Sequence, residues 1–101
     1  MDYKISTNNG VMTVAFEGQI NFASNEDFNT LLERILAEKP KSVTFNLANL
    51  TMIDSVGLGL LYIAHEDLSN IGAKLTLASP RNSVDKLLKL TEAHRTFEII
   101  P

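Results

Sequence analysis

The hydrophobic pattern of this 101-residue chain changes period several times, and the order of those changes restricts the folds open to it. Tyr3 to Ser6 and Val11 to Phe16 read as two short strands. Asn9-Gly10 lies between them, and both residues tolerate the positive φ that a tight hairpin turn requires. Gly18 and Asn21 are expected to end the second strand. Ser24-x-x-Asp27 then resembles a helix start, with Phe28, Leu31, Leu32, Ile35 and Leu36 following at helical spacing and Pro40 ending the run. Ser42 to Leu47 returns to alternation through Val43, Phe45 and Leu47. A second helix is predicted from Ser55 to Asn70, stopped by Gly72, and Lys74 to Ala78 is the next strand. Ser79 as N-cap and Pro80 at the first helical position open a third helix, whose buried stripe is Val84, Leu87 and Leu88. Thr96 to Ile100 closes the chain as a strand. The order β-β-α-β-α-β-α-β predicts one α/β domain over residues 1–101. Its mixed sheet has four to five strands, with an N-terminal hairpin, a parallel β-α portion and about three main helices. The crossover from Ser42 to Ala78 should be right-handed.

Charge and composition narrow the function. The formal net charge is −3 and the nine Lys and Arg residues are scattered, which argues against a nucleic-acid backbone as ligand. No apolar run approaches the roughly 20 residues that span a bilayer. The segment Met1-Asp2-Tyr3-Lys4 lacks the layout of a signal peptide, and the chain has no cysteine. A cytoplasmic protein is expected. Two isolated histidines, His65 and His94, make no recognisable metal-ligand set.

The chemistry-bearing stretch is Asp54-Ser55-Val56-Gly57-Leu58-Gly59. It follows a short apolar strand and opens an apolar helix, at the carboxyl end of a strand where α/β sheets gather function. A phosphate on Ser55 would meet unpaired backbone N–H groups and the positive end of the helix dipole. Asp54 and Ser55 are also both good N-caps, and capping alone accounts for many such pairs. Along the helix, Gly57, Leu61, Ala64, Leu68 and Ile71 form the stripe expected to face the core. Ser55, Leu58, Tyr62 and His65 form a second stripe, which makes Leu58 and Tyr62 candidates for an apolar patch beside the serine. Leu58 packing inward is the alternative. Gly57 and Gly59 each cost roughly 1 kcal/mol against alanine in a helix. They allow close approach, either of a partner or of the sheet beneath. A hydrolase triad from Ser55, Asp54 and a histidine is disfavoured. The Gly-x-Ser-x-Gly elbow is absent, and His65 lies ten residues along the same helix, about 15 Å away by helix rise.

With these residues in view the chain resembles the STAS-domain family of bacterial anti-sigma factor antagonists over nearly its whole length. The resemblance rests on Gly18-Gln19-Ile20, on Phe45-Asn46-Leu47-Ala48-Asn49-Leu50, and above all on Met52-Ile53-Asp54-Ser55-Val56-Gly57-Leu58-Gly59. Ile71-Gly72-Ala73-Lys74-Leu75, Ser79-Pro80 and Phe97 also fall where the family has counterparts. The resemblance implies the STAS fold and partner switching without catalysis by this chain. The unphosphorylated protein would bind a serine kinase of the histidine-kinase-like ATPase fold that doubles as an anti-sigma factor. Phosphorylation of Ser55 would release it, and a PP2C-type phosphatase would restore it. ATP and Mg²⁺ would belong to the kinase, so no cofactor is expected here, and a monomer is the default. The implied docking surface comprises Asp54, Val56, Gly57, Leu58, Gly59 and Tyr62, with Asn21 and Phe22. At position 21 family members often carry an acidic residue, and at position 56 many carry a small one. The alternative is a docking subunit without the switch, in a stress-signalling or lipid or anion transport assembly.

Overall fold

A computed structural model describes residues 1–101. The hairpin forms as β1 (Asp2–Asn8) and β2 (Val11–Ile20), joined through Asn9 at φ 54° and Gly10 at φ 82°. β3 (Ser42–Ile53), β4 (Lys74–Ala78) and β5 (Glu98–Ile100) continue the sheet in the spatial order β1-β2-β3-β4-β5. The hairpin is antiparallel and every later pairing is parallel. One register row crosses all five strands as Ile5, Val14, Phe45, Leu77 and Ile99, so alternation within each strand becomes one continuous apolar face. The helices α1 (Asn25–Glu38), α2 (Ser55–Asn70) and α3 (Asn82–Leu90) lie in the three crossovers. Because each crossover steps to the adjacent strand in the same direction, the right-handed rule puts them on the same face of the sheet. The 24 residues buried between helices and sheet form a single cluster. Its aromatic centre is Phe16, whose ring meets Phe45 edge-on at 5.0 Å and stacks with Phe28 at 6.3 Å. The opposite face carries Thr13, Ala15, Thr44, Asn46 and Thr76, all partly exposed.

The α/β architecture, the hairpin, α2 and β4 match the sequence expectation, while several local features differ, among them β5, which starts at Glu98 and not at Thr96. Gly18 does not end β2. It adopts φ 83°, and register shifts on either side of it carry the strand on to Ile20. β3 likewise runs beyond Leu47 to Ile53, so its end projects with β2 and delivers Asp54 past the body of the sheet. Ser24 stands at the N-cap position of α1, as its helix-start pattern indicated, but its side chain makes no capping bond to that helix. It belongs to a 3-10 turn, Phe22–Ser24, where its hydroxyl accepts from the Asn21 N–H at 3.1 Å and donates to the Gln19 carbonyl at 3.3 Å. Ser79 and Pro80 precede α3 instead of opening it. The Ser79 N–H is held by the Ile100 carbonyl at 2.9 Å, which keeps the connection on the β5 side, and the helix begins at Asn82 with Arg81 as N-cap.

The far end of α2 closes as a Schellman motif. Gly72, at φ 76°, donates to the Ser69 carbonyl at 3.0 Å and Ala73 to the Leu68 carbonyl at 2.9 Å. This turn lifts Ile71 out of the expected core stripe and leaves it 45% exposed.

Candidate functional site

At the projecting end of β2 and β3, Asp54 is the N-cap of α2 and Ser55 is its first residue. The Asp54 carboxylate is shared between two segments. One oxygen, Oδ1, accepts from the Gly57 N–H at 2.7 Å; the other, Oδ2, accepts from the Phe22 N–H at 3.1 Å. The Asp54 N–H donates to the Ile20 carbonyl at 3.3 Å. The residue therefore fastens the helix start to the end of β2 and to the turn after it, and its role is chiefly internal.

That turn is stiff. The Asn21 side chain accepts from the Ala23 N–H at 2.9 Å, while the Ser24 N–H donates to the Asn21 carbonyl at 2.9 Å. With the Asn21 N–H on Ser24 Oγ this forms a capping box around Phe22.

Ser55 is exposed. Gly57 N–H is taken by Asp54 and Leu58 N–H by the Asp54 carbonyl at 2.9 Å, which leaves the amides of Ser55 and Val56 facing outward without an acceptor in the protein. An anion on the Ser55 oxygen would sit over these donors. It would also sit one residue from the Asp54 carboxylate, so the site favours an anion through backbone and repels it through that side chain.

The two glycines have different causes. At Gly57 a Cβ would stand 2.2 Å from the Ile20 carbonyl oxygen and 2.9 Å from Ile53 Cγ1. The helix rests on the end of β2 there, so packing within the fold explains Gly57, which is buried. At Gly59 a Cβ would meet nothing within 4 Å, and the position faces outward.

The apolar surface beside Ser55 divides between two sides of α2. Leu58 and Tyr62 are half-buried and pack on the core, with the Tyr62 ring 4.8 Å from that of Phe97. Their flank of α2 leans on Phe97 because the C-terminal segment covers it. His65 follows them, edge-on to Phe97 at 5.4 Å with Nδ1 enclosed, whereas His94 is exposed. Exposed apolar side chains on the segments around the serine include Phe22 at 74%, Met52 at 46%, Val56 at 44% and Ile63 at 47%. Val56 and Ile63 are seven residues apart and share one side of α2. Ile63 was not singled out from sequence, although its spacing from Val56 carried the signal.

Neither of the two cavities includes Ser55. The larger, about 370 Å³, lies at the opposite end of α2 among His65, Ser69, Lys74, Thr96 and Glu98. No cavity opens beside the serine. Both Asp54 oxygens are engaged by backbone amides, so no aspartate–histidine pair is assembled beside Ser55. No group of three or more His, Asp or Glu is placed to hold a metal ion, and no helix is long and apolar enough to cross a membrane.

A family model of the STAS domain matches residues 2–101. The chain belongs to the STAS-domain family. A STAS-domain containing protein of Pseudomonas aeruginosa (strain UCBPP-PA14) is 28% identical over 88 residues, spanning 87% of this chain and 86% of that one. Among solved structures, an anti-sigma factor antagonist from Mycobacterium paratuberculosis superposes with a TM-score of 0.87 at 21% identity, over 99% of this chain and 85% of the other. The Bacillus cell fate determinant SpoIIAA in its phosphorylated form gives 0.73 at 13% identity, over 97% and 90%. A sulfate transporter family protein from Wolinella succinogenes gives 0.79 at 17%, over 94% and 80%. This STAS domain thus shares its fold with anti-sigma factor antagonists and with a transporter-family protein alike.

Proposed function

We propose that this STAS domain is an anti-sigma factor antagonist that works by partner switching, with Ser55 as the phosphorylated residue. In the unphosphorylated state it binds a serine kinase of the histidine-kinase-like ATPase fold. Phosphorylation weakens that complex and a PP2C-type phosphatase resets it. The chain supplies an acceptor hydroxyl and a docking surface, and the transfer chemistry belongs to the kinase. The observation that carries this reading is the exposed Ser55 at the start of α2, beside two amides without a partner in the protein and near exposed apolar side chains.

A phosphate adds about −1.5 to −2 charges at neutral pH. Inside the domain the helix start accommodates it. Across an interface fitted to a neutral hydroxyl, its desolvation and the repulsion from Asp54 oppose docking. The expected result is loss of kinase binding without loss of fold. Titration calorimetry of the kinase against the protein carrying phosphoserine at position 55 tests this, with an amide NMR spectrum as the control for fold. Equal affinity of the two forms, or amide shifts throughout the domain, would contradict the mechanism.

The transporter-family likeness favours one other reading, a docking subunit without a switch. Under that reading the complex forms and Ser55 stays unmodified.

A further inference from the structure

Phe22 stands out once the hydrogen bonds around it are traced. The Phe22 ring is 74% exposed, so most of its apolar surface is left in water. Here the N–H groups of Asn21, Phe22, Ala23 and Ser24 all donate hydrogen bonds. That of Phe22 is held by Asp54 across 32 residues of chain, and the flanking residues are locked by the Asn21–Ser24 capping box. An apolar ring carried on a rigid turn loses little entropy on docking, which is the character of an interface anchor.

Carboxylates outnumber cations around Phe22, the cation at this end of the sheet being Arg81 at the start of α3, where Ser83 donates to the Thr51 carbonyl at 3.1 Å. Glu26 and Asp27 occupy the first turn of α1, immediately after the Phe22 turn, and Glu66 and Asp67 lie further along α2. No Lys or Arg occurs between Lys41 and Lys74, the whole stretch that forms β3 and α2. Arg34, the one basic residue of α1, is engaged with Glu38 at 3.9 Å. Glu66 and Asp67 follow Ile63 by three and four residues on α2, and Glu26 and Asp27 open the helix that follows Phe22, so acidic residues neighbour these apolar positions along the chain.

We propose that Phe22 is the principal anchor of the docking surface and that its partner is a protein with an apolar recess bordered by Lys or Arg side chains. This rests on the reading that the serine end docks a protein, but not on phosphorylation. Asp54 acts as a positioning residue, setting the turn that presents the ring. Long-range attraction between these acidic residues and a basic partner would speed encounter, and the ring seated in the recess would slow release.

The test places the photo-crosslinking residue p-benzoylphenylalanine at position 22 of the full chain, in its own host cells, with the same residue at Lys4 as the control. The captured protein is then purified, its crosslinked residues are mapped, and its Kd is measured against wild type, Phe22→Leu and Phe22→Ala at two salt concentrations. The inference expects capture from position 22 and not from position 4, at an apolar recess flanked by basic residues. It expects Phe22→Ala to weaken binding about tenfold or more and Phe22→Leu about threefold or less. Kd should rise with salt. Capture of a second copy of the chain alone, capture of lipid, or no capture would overturn it. So would a Phe22→Ala complex of unchanged affinity, or a Kd indifferent to salt. If the captured protein depends on Phe22 yet never phosphorylates Ser55, the anchor stands and the switch fails. If Ser55 is phosphorylated by a partner indifferent to Phe22, the switch stands and the anchor fails.

Discussion

Gly57→Ala is expected to destabilise the domain although alanine is the better helix former. The added methyl would lie 2.2 Å from the Ile20 carbonyl oxygen and 2.9 Å from both the Ile20 carbonyl carbon and Ile53 Cγ1. The closest neighbours are backbone, which cannot swing aside as a flexible side chain can. The first turn of α2 must lift off β2, stretching the Asp54 N–H bond to Ile20 and the Gly57 N–H bond to Asp54. Overpacking of this kind costs about 1–3 kcal/mol, and losing an N-cap about 1 kcal/mol more. Alanine's propensity returns roughly 1 kcal/mol. The balance is a loss of about 1–3 kcal/mol, and each kcal/mol lowers Tm by about 4–8 °C in a domain of this size. Gly59→Ala provides the control, since no atom lies within 4 Å of its added methyl. There only propensity acts, and a gain of about 0.5–1 kcal/mol is expected. Urea unfolding of both variants beside wild type decides the matter. A Gly57→Ala protein as stable as wild type, or a Gly59→Ala protein that loses more than Gly57→Ala, would refute the close-packing argument.

Three further outcomes follow from the same geometry. Asp54→Ala removes an acceptor from two backbone amides and should cost about 1–2 kcal/mol; by NMR hydrogen exchange, Phe22 and Gly57 amides should lose protection together, and loss at only one would break the shared-carboxylate account. Tyr62→Ala should lower stability by about 1–3 kcal/mol, because the ring packs on Phe97; unchanged stability with altered binding alone would return Tyr62 to the surface. Lys39 closes α1 at φ 48°, so Lys39→Gly should raise stability by up to about 1 kcal/mol in thermal unfolding, and a lower Tm would argue against that strain.

The features legible in sequence are those set by local periodicity and turn chemistry. Asn9-Gly10 marked the hairpin, and α2 and β4 appear with the bounds their patterns indicated, because strong periodicity and a C-terminal glycine agreed there. What was not legible depended on long-range contacts. Gly18 read as a strand end because a single sequence does not reveal a neighbouring strand with which a register shift can be shared. Ser79-Pro80 had the local chemistry of a helix start, but a hydrogen bond to Ile100, far along the chain, fixed it as a connection. At the site, the Asp54-Ser55 pair was visible while its wiring was not. That Asp54 would reach back 32 residues to hold Phe22 could not be read from spacing. The exposure of the helix stripes depended on Phe97, whose position is set by the final crossover. Leu58 and Tyr62 are consequently half-buried, while Val56 and Ile63 are exposed.

The proposed switch turns on Ser55 accepting a phosphate. Intact-mass spectrometry after incubation with ATP, Mg²⁺ and the histidine-kinase-like serine kinase that binds the chain tests it most directly, with Ser55→Ala alongside. The account predicts one added phosphate on the wild type, none on Ser55→Ala, and kinase binding retained by that variant. A stable complex in which the wild type gains no phosphate, or in which Ser55→Ala gains the same phosphate, would contradict it.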